Sequence, residues 1–228
     1  MPDHKSIYEK QAGMYHELIS KQESLEAHIE AIRPISGLDI ADLGAGTGRL
    51  TTVLAAQAKS IVALDASEAM LRITADRLTQ AGFTNWSTQT ADLRKLPMED
   101  QSVDLIVAGW SICYLTNTDV HSWEQHLEEV IGEIKRVLRA KGTIIIFETM
   151  GTGFEQPNPP DFLKPYYAKL VADYGFSHKW IRTDYTFDHL EQAEQLTRFF
   201  FSDALANRVL EQNLVHLPEC AGIWWLHL

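Results

Sequence analysis

Apolar residues follow two alternating rhythms along this chain. Short, dense runs at 39–43, 60–64 and 143–147 have the length and composition of buried strands, and 86–91 and 103–108 join them. Between these runs apolar positions recur at helical spacing, at Leu50, Val53 and Leu54, at Leu71, Ala75 and Leu78, and at Leu127, Val130, Ile131, Ile134, Val137 and Leu138. Such spacing lays one stripe along a helix face. Strand and helix therefore alternate from Asp39 to Phe147. The run Thr143 to Phe147 is almost wholly β-branched, which predicts a strand covered on both faces. Ser122 opens the helix before it, with Gln125 at capping-box spacing.

The flanks are less regular. Residues 1–36 are polar but helical in spacing, with Tyr8, Tyr15, Leu18, Ile19, Leu25 and Ile29 near one face and Pro34 as the break. Residues 149–165 are rich in Gly and Pro and longer than an ordinary connection. Beyond them the pattern predicts a helix over 164–174 stopped by Gly175, a strand over 178–187, a helix over 189–201 and a closing strand over 222–228.

The first run breaks on Gly44, Gly46 and Gly48, and a helix starts directly behind them. Glycine lets a backbone turn sharply and approach a ligand, because no Cβ intervenes. The stretch D-I-A-D-L-G-A-G-T-G-R-L-T thus reads as a ligand-binding strand, loop and helix, or as a tight connection. The dinucleotide fingerprint is G-x-G-x-x-G. Here the third glycine comes one residue early and Arg49 takes its place. Asp65 ends the second run, 21 residues beyond Gly44, close to where an acid grips a ribose in such folds. Its other reading is a helix cap before Ser67.

With Asp42 ahead of the glycines the pattern is D-x-G-x-G-x-G, which resembles motif I of the class I S-adenosylmethionine-dependent methyltransferases, the type 11 small-molecule branch most of all. The run Leu96 to Asp104 resembles that family's L-P-x-x-D-x-S-x-D, and Arg139 to Gly142 its R-P-G-G turn, with Ala140 and Lys141 as departures. Tyr8, Ala12 and Tyr15 match its Y-x-x-x-A-x-x-Y leader, although an ordinary amphipathic helix has the same spacing. The resemblance is good over 39–149 and only architectural beyond.

The resemblance implies an α/β, Rossmann-like, doubly wound sheet of seven strands, mostly parallel with an antiparallel last strand and helices on both faces. It implies S-adenosylmethionine as cofactor and S-adenosylhomocysteine as product. Around the cofactor it places Tyr15, Asp42, Gly44, Ala45, Gly46, Asp65, Ala66, Met70, Ala91, Asp92, Leu93 and Trp110. It makes 1–36 a helical lid and 37–228 the methyltransferase domain, with a substrate cap inserted around 149–177. Ligands of open α/β sheets bind beyond the carboxyl ends of the strands. Trp110, Tyr114, Glu148 and Tyr185 are accordingly expected to wall the acceptor pocket.

Composition narrows the partner. Twenty basic and 31 acidic side chains leave a net charge of −11, a poor match for a phosphate backbone. The D/N/S-P-P-Y/F pattern of DNA amino-methyltransferases does not follow the fourth run. A small-molecule acceptor, with no nucleic acid and no membrane, is the expected partner. No apolar run approaches the ~18 residues of a membrane helix, and charges interrupt the first 35 residues too often for a signal peptide, so a cytoplasmic protein is expected. Cys113 and Cys220 lie far apart, and His121 and His126 fall on different helix faces, so no disulfide framework or metal site is expected.

Methyl transfer needs a base only if the nucleophile arrives protonated. Glu148 and Tyr15 are the candidates, with His178 and Tyr185 beside them. Three other readings stay open: transfer of an aminopropyl group from the same pocket, a binding protein without turnover, and a nicotinamide-dependent oxidoreductase, which the early third glycine opposes.

Overall fold

A computed structural model of the chain describes residues 4–228. In chain order the elements are α1 (His4–Lys10), α2 (Ala12–Ile19), α3 (Glu26–Ile32), β1 (Asp39–Leu43), α4 (Thr51–Ala55), β2 (Ser60–Asp65), α5 (Glu68–Gln80), β3 (Trp86–Thr90), β4 (Val103–Gly109), α6 (Cys113–Thr116), α7 (Trp123–Val137) and β5 (Leu138–Thr152). There follow α8 (Lys164–Ala172), β6 (Ser177–Arg182), β7 (Tyr185–Thr186), α9 (Leu190–Phe200), α10 (Asp203–Glu211), β8 (His216–Leu217) and β9 (Glu219–His227). Among the described residues no helix is long and apolar enough to cross a membrane.

The main sheet has seven strands in the order β3-β2-β1-β4-β5-β9-β6. From β3 to β5 every pairing is parallel, and β9 runs antiparallel to both β5 and β6. Side chains of a strand point alternately to opposite faces. Ile106, Ile144 and Ile146 accordingly join α7 and α8 in one core, while Leu105, Ile145 and Phe147 join α3, α4 and α5 in the other. All five residues of β1 are buried, as its place mid-sheet requires. Strand order reverses between β1 and β4, and the carboxyl ends of the strands there are where a sheet of this kind takes its ligand.

Three local expectations differ from the structure. The N-terminal stretch is three short helices, not one. Ser122 has φ +58° and caps nothing with its side chain, because side-chain capping needs extended backbone; Gln125 instead donates to Glu129 at 2.9 Å. The strand expected over 178–187 breaks after Arg182, where the Asp184 carboxylate accepts the Glu219 N–H at 3.0 Å and turns the chain. Tyr185 and Thr186 then pair with β8 in a separate two-stranded sheet.

Candidate functional site

Beyond the carboxyl end of β1 the chain enters the glycine loop, where Gly44, Gly46 and Gly48 all take left-handed backbone, at φ +71°, +56° and +79°. Two of these positions matter in different ways. A Cβ on Gly44 would stand 2.2 Å from Cβ of Ser111, so the β1 and β4 loops can touch only with glycine there. A Cβ on Gly46 would meet nothing nearer than the Tyr15 ring at 3.9 Å and would enter open space beside the loop.

The loop is held from behind. Gly44 and Ala45 both donate to the Leu64 carbonyl, at 2.7 and 2.9 Å. Thr74 donates to the Gly46 carbonyl at 2.8 Å, and Arg77 to that of Thr47 at 2.6 Å. Asp42, only 1% exposed, accepts the Thr51 hydroxyl at 2.6 Å, and burial pushes its carboxyl up to about 7. Ala45 packs on Ala63 and Leu71. These two expected ligand residues therefore support the loop rather than line the crevice.

Asp65 ends β2 and faces the loop across the crevice. Its carboxylate accepts N–H groups from Gly46 and Ser67, both at 2.8 Å. Ser67, not Asp65, caps α5, accepting from Met70. Burial raises the Asp65 carboxyl, against the pull of these backbone bonds. Asp92 follows β3, bonded to the Arg94 guanidinium at 2.6 Å, which holds its carboxyl below the usual range. Trp110, at φ +51°, directly follows β4; its backbone N–H donates to the Phe147 carbonyl, and the Arg49 guanidinium lies 4.4 Å over its ring.

These elements enclose a cavity of about 850 Å³, of a size that holds cofactors and small ligands. Of the residues expected from sequence, Tyr15, Gly44, Gly46, Asp65, Ala66, Met70, Ala91, Asp92, Leu93, Trp110 and Tyr114 line it. Glu148 and Tyr185 do not. Glu148 follows Phe147 on β5 and so points to the opposite face, where it is fully buried, accepts the Cys113 N–H at 3.0 Å and is pushed up to about 7 by burial. Tyr185 is buried between Phe187 and Phe201. No residue of 149–177 lines the cavity, and α8 lies in the core through Tyr166, Tyr167 and Leu170. Among the described residues there is no cluster of three metal-binding side chains.

One wall of the cavity is aromatic and comes from three distant segments. Tyr8 of α1 and Tyr114 of α6 share a hydrogen bond at 2.6 Å, and Tyr114 meets His4 Nδ1 at 3.2 Å. His4 Nε2 lies 3.0 Å from the Phe200 carbonyl and its ring stacks on Phe200 at 4.5 Å. Tyr15, whose hydroxyl is pushed up to about 12 by burial, touches both Tyr8 and Phe200. His4 and Leu115 line the cavity without any sign in the sequence, Ser111 lines it as its place directly after the fourth run leads one to expect, and Tyr8 was marked only by its leader spacing. The arrangement suits a nucleoside across Asp65 and Asp92, with a second, aromatic compartment beside it.

Comparison with known proteins agrees with this geometry. Residues 40–142 match the profile of the methyltransferase domain family. The chain is 30% identical over 163 residues to phosphoethanolamine N-methyltransferase 1 of Triticum aestivum, covering 68% of this chain and 31% of that protein. It is 34% identical over 148 residues to a demethylmenaquinone methyltransferase of Clavibacter sepedonicus, covering 64% of this chain and 54% of that one. The matches thus span between a third and about half of these relatives' own lengths. Among solved structures, YcgJ of Bacillus subtilis superposes with a TM-score of 0.61 at 15% identity, over 90% of this chain and 97% of that one, a likeness of fold.

Proposed function

We propose that this chain, which belongs to the class I S-adenosylmethionine-dependent methyltransferases, transfers the cofactor's methyl group to a small-molecule acceptor. The observation that carries this is the convergence of the Gly44 to Gly46 backbone, the Asp65 carboxylate and Asp92 on one cavity. A carboxylate has about four lone-pair sites, and Asp65 spends two of them on Gly46 and Ser67. The remainder suits the paired hydroxyls of a ribose. Asp92, kept ionised by Arg94, suits the amino group of adenine, with Ala66, Met70 and Leu93 around the base. The bare backbone at Gly46, roofed by Tyr15, suits the amino-acid end, in space that a Cβ would fill.

When bound, the cofactor supplies an electrophilic methyl group on a sulfonium sulfur. The chain's own part is to align the acceptor and keep water out, and for this the wall of Trp110, Tyr114 and Tyr15 is placed. Glu148 lies too deep to serve as a base; it holds α6 through the Cys113 amide and so positions Tyr114. In this reading α1 to α3 form the lid, fastened through Tyr8 and His4. We take the acceptor to be freely diffusing, not nucleic acid or membrane, and the reaction to be cytoplasmic. The net charge of −11 supports the first part, since it repels phosphate backbones.

The test is product analysis. The chain is incubated with S-adenosylmethionine and a panel of small amines, phenols and quinols. S-adenosylhomocysteine formed in step with a methylated acceptor is expected; methylthioadenosine would mean aminopropyl transfer instead. Cofactor binding with no product across an extended panel would favour the non-catalytic reading.

A further inference from the structure

The aromatic compartment of the cavity has a chemistry of its own. Three tyrosine rings meet there: Tyr8 and Tyr15 lie edge to face at 5.1 Å, and Tyr8 and Tyr114 at 5.9 Å. Ring faces carry negative charge density and attract cations, most strongly out of water. Trp110 is not part of this set, because Arg49 already covers its ring. The charged side chains among the described lining residues are Glu9, Asp65, Glu68 and Asp92, all acidic, and neither Lys nor Arg is among them. A phosphate or carboxylate of the acceptor, seated among the three tyrosines, would meet ring faces and acids with no lining Lys or Arg, the nearest guanidinium being that of Arg49 over Trp110.

The hydrogen bonds of the cluster run in one direction. The Phe200 carbonyl can only accept, so His4 Nε2 carries a proton toward it, and in that tautomer Nδ1 is an acceptor. Tyr114 therefore donates to Nδ1, and its oxygen accepts from Tyr8. Tyr8 has spent its proton. What its oxygen still offers to a ligand is lone pairs alone. The compartment thus combines electron-rich rings, acidic surroundings and an oxygen that accepts but does not donate.

We propose that the acceptor is an amine without an anionic group, bound as the neutral amine with an N–H on the Tyr8 oxygen and its lone pair toward the methyl carbon, so that the positive charge formed on nitrogen as the C–S bond breaks develops among the rings of Tyr8, Tyr15 and Tyr114. This deepens the methyltransferase reading and rests on it. Among relatives named for phosphoethanolamine, the named compound carries a phosphate; this compartment favours an amine that does not.

Calorimetric titration into the full chain saturated with S-adenosylhomocysteine tests the proposal with four probes. Choline is expected to bind about tenfold or more tighter than 3,3-dimethyl-1-butanol, its uncharged isostere, and tighter than phosphocholine by a similar factor. Equal binding of the isostere, or tighter binding of phosphocholine, would overturn the substrate class, as would no binding of choline at all. In Tyr8→Phe, trimethylammonium, which has one N–H, is expected to lose about fivefold in affinity while tetramethylammonium, which has none, keeps its own. Equal losses for the two would overturn the role of the Tyr8 oxygen. Failure of S-adenosylhomocysteine to bind would instead sink the methyltransferase reading itself, so the two failures are distinguishable.

Discussion

Replacing Gly44 and Gly46 by alanine, one at a time, adds the same methyl group to the same loop and should give two different defects. Both residues have positive φ, at +71° and +56°, where an L side chain costs about 1–2 kcal/mol. At Gly46 that strain is nearly the whole stability effect, because the new Cβ meets nothing closer than 3.9 Å. At Gly44 the Cβ would lie 2.2 Å from Cβ of Ser111, whose hydroxyl donates to the Leu43 carbonyl at 2.7 Å. Ser111 must move, adding about 1 kcal/mol for the disturbed hydrogen bond and about 1–3 kcal/mol for overpacking. The total for Gly44→Ala is then about 3–6 kcal/mol, or roughly 6–24 °C in melting temperature for a chain of this size, against about 2–8 °C for Gly46→Ala. Cofactor binding should reverse the ranking per degree lost. The Gly46 methyl projects into the ligand's space and should cost at least about tenfold in S-adenosylhomocysteine affinity, or about 1.4 kcal/mol, in a protein that stays folded. Thermal unfolding and calorimetry on the two variants read both quantities. Normal S-adenosylhomocysteine binding by Gly46→Ala would refute the placement of the ligand against this loop, and a Gly44→Ala melt within 2 °C of the parent would refute the close approach of the two loops.

Other consequences can be checked in the same way. Asp65→Ala removes the proposed ribose acceptor together with the partner of two backbone amides, and should weaken S-adenosylhomocysteine binding by about 1–3 kcal/mol in calorimetry. Tyr114→Phe removes the hydroxyl linking Tyr8 to His4 and should speed S-adenosylhomocysteine release several-fold in stopped flow; an unchanged off-rate would argue against a fastened lid. Asp42, Glu148 and Glu219 have carboxyls raised to about 7 by burial, so folding favours their protonated forms. Their contribution is full below the ordinary carboxylate range and is lost as pH rises through about 7. Melting temperature should accordingly fall between pH 5.5 and 8, and the double variant Glu148→Gln, Glu219→Gln should flatten that slope. An unchanged slope would assign the pH dependence to other groups.

How far the sequence could be read depended on the range of the interactions involved. From Asp39 to Thr149 each strand and helix is set by local periodicity, and the residues that meet at the crevice sit at strand ends, which the order of elements already fixes. Asp65 and Gly46 are 2.8 Å apart for that reason. Glu148 shows where such reading stops. Its position at the end of the run was legible, but the alternation that turns it away from the cavity, and the Cys113 amide that receives it, belong to the folded sheet. The break after Arg182 depends on Asp184 reaching Glu219, 35 residues on, and no local signal encodes it. The same holds for the aromatic wall. His4, Tyr114 and Phe200 are separated by most of the chain and become one cluster only when α1 lies across the end of the sheet.

The central claim is that the glycine loop and Asp65 hold S-adenosylmethionine, and direct calorimetric titration of the purified chain tests it. S-adenosylmethionine and S-adenosylhomocysteine should each bind with one-to-one stoichiometry, and NAD, run beside them, should give no heat. Binding of NAD with silence from the other two would contradict the account, because the early third glycine would then have been misread and the functional assignment would fall with it.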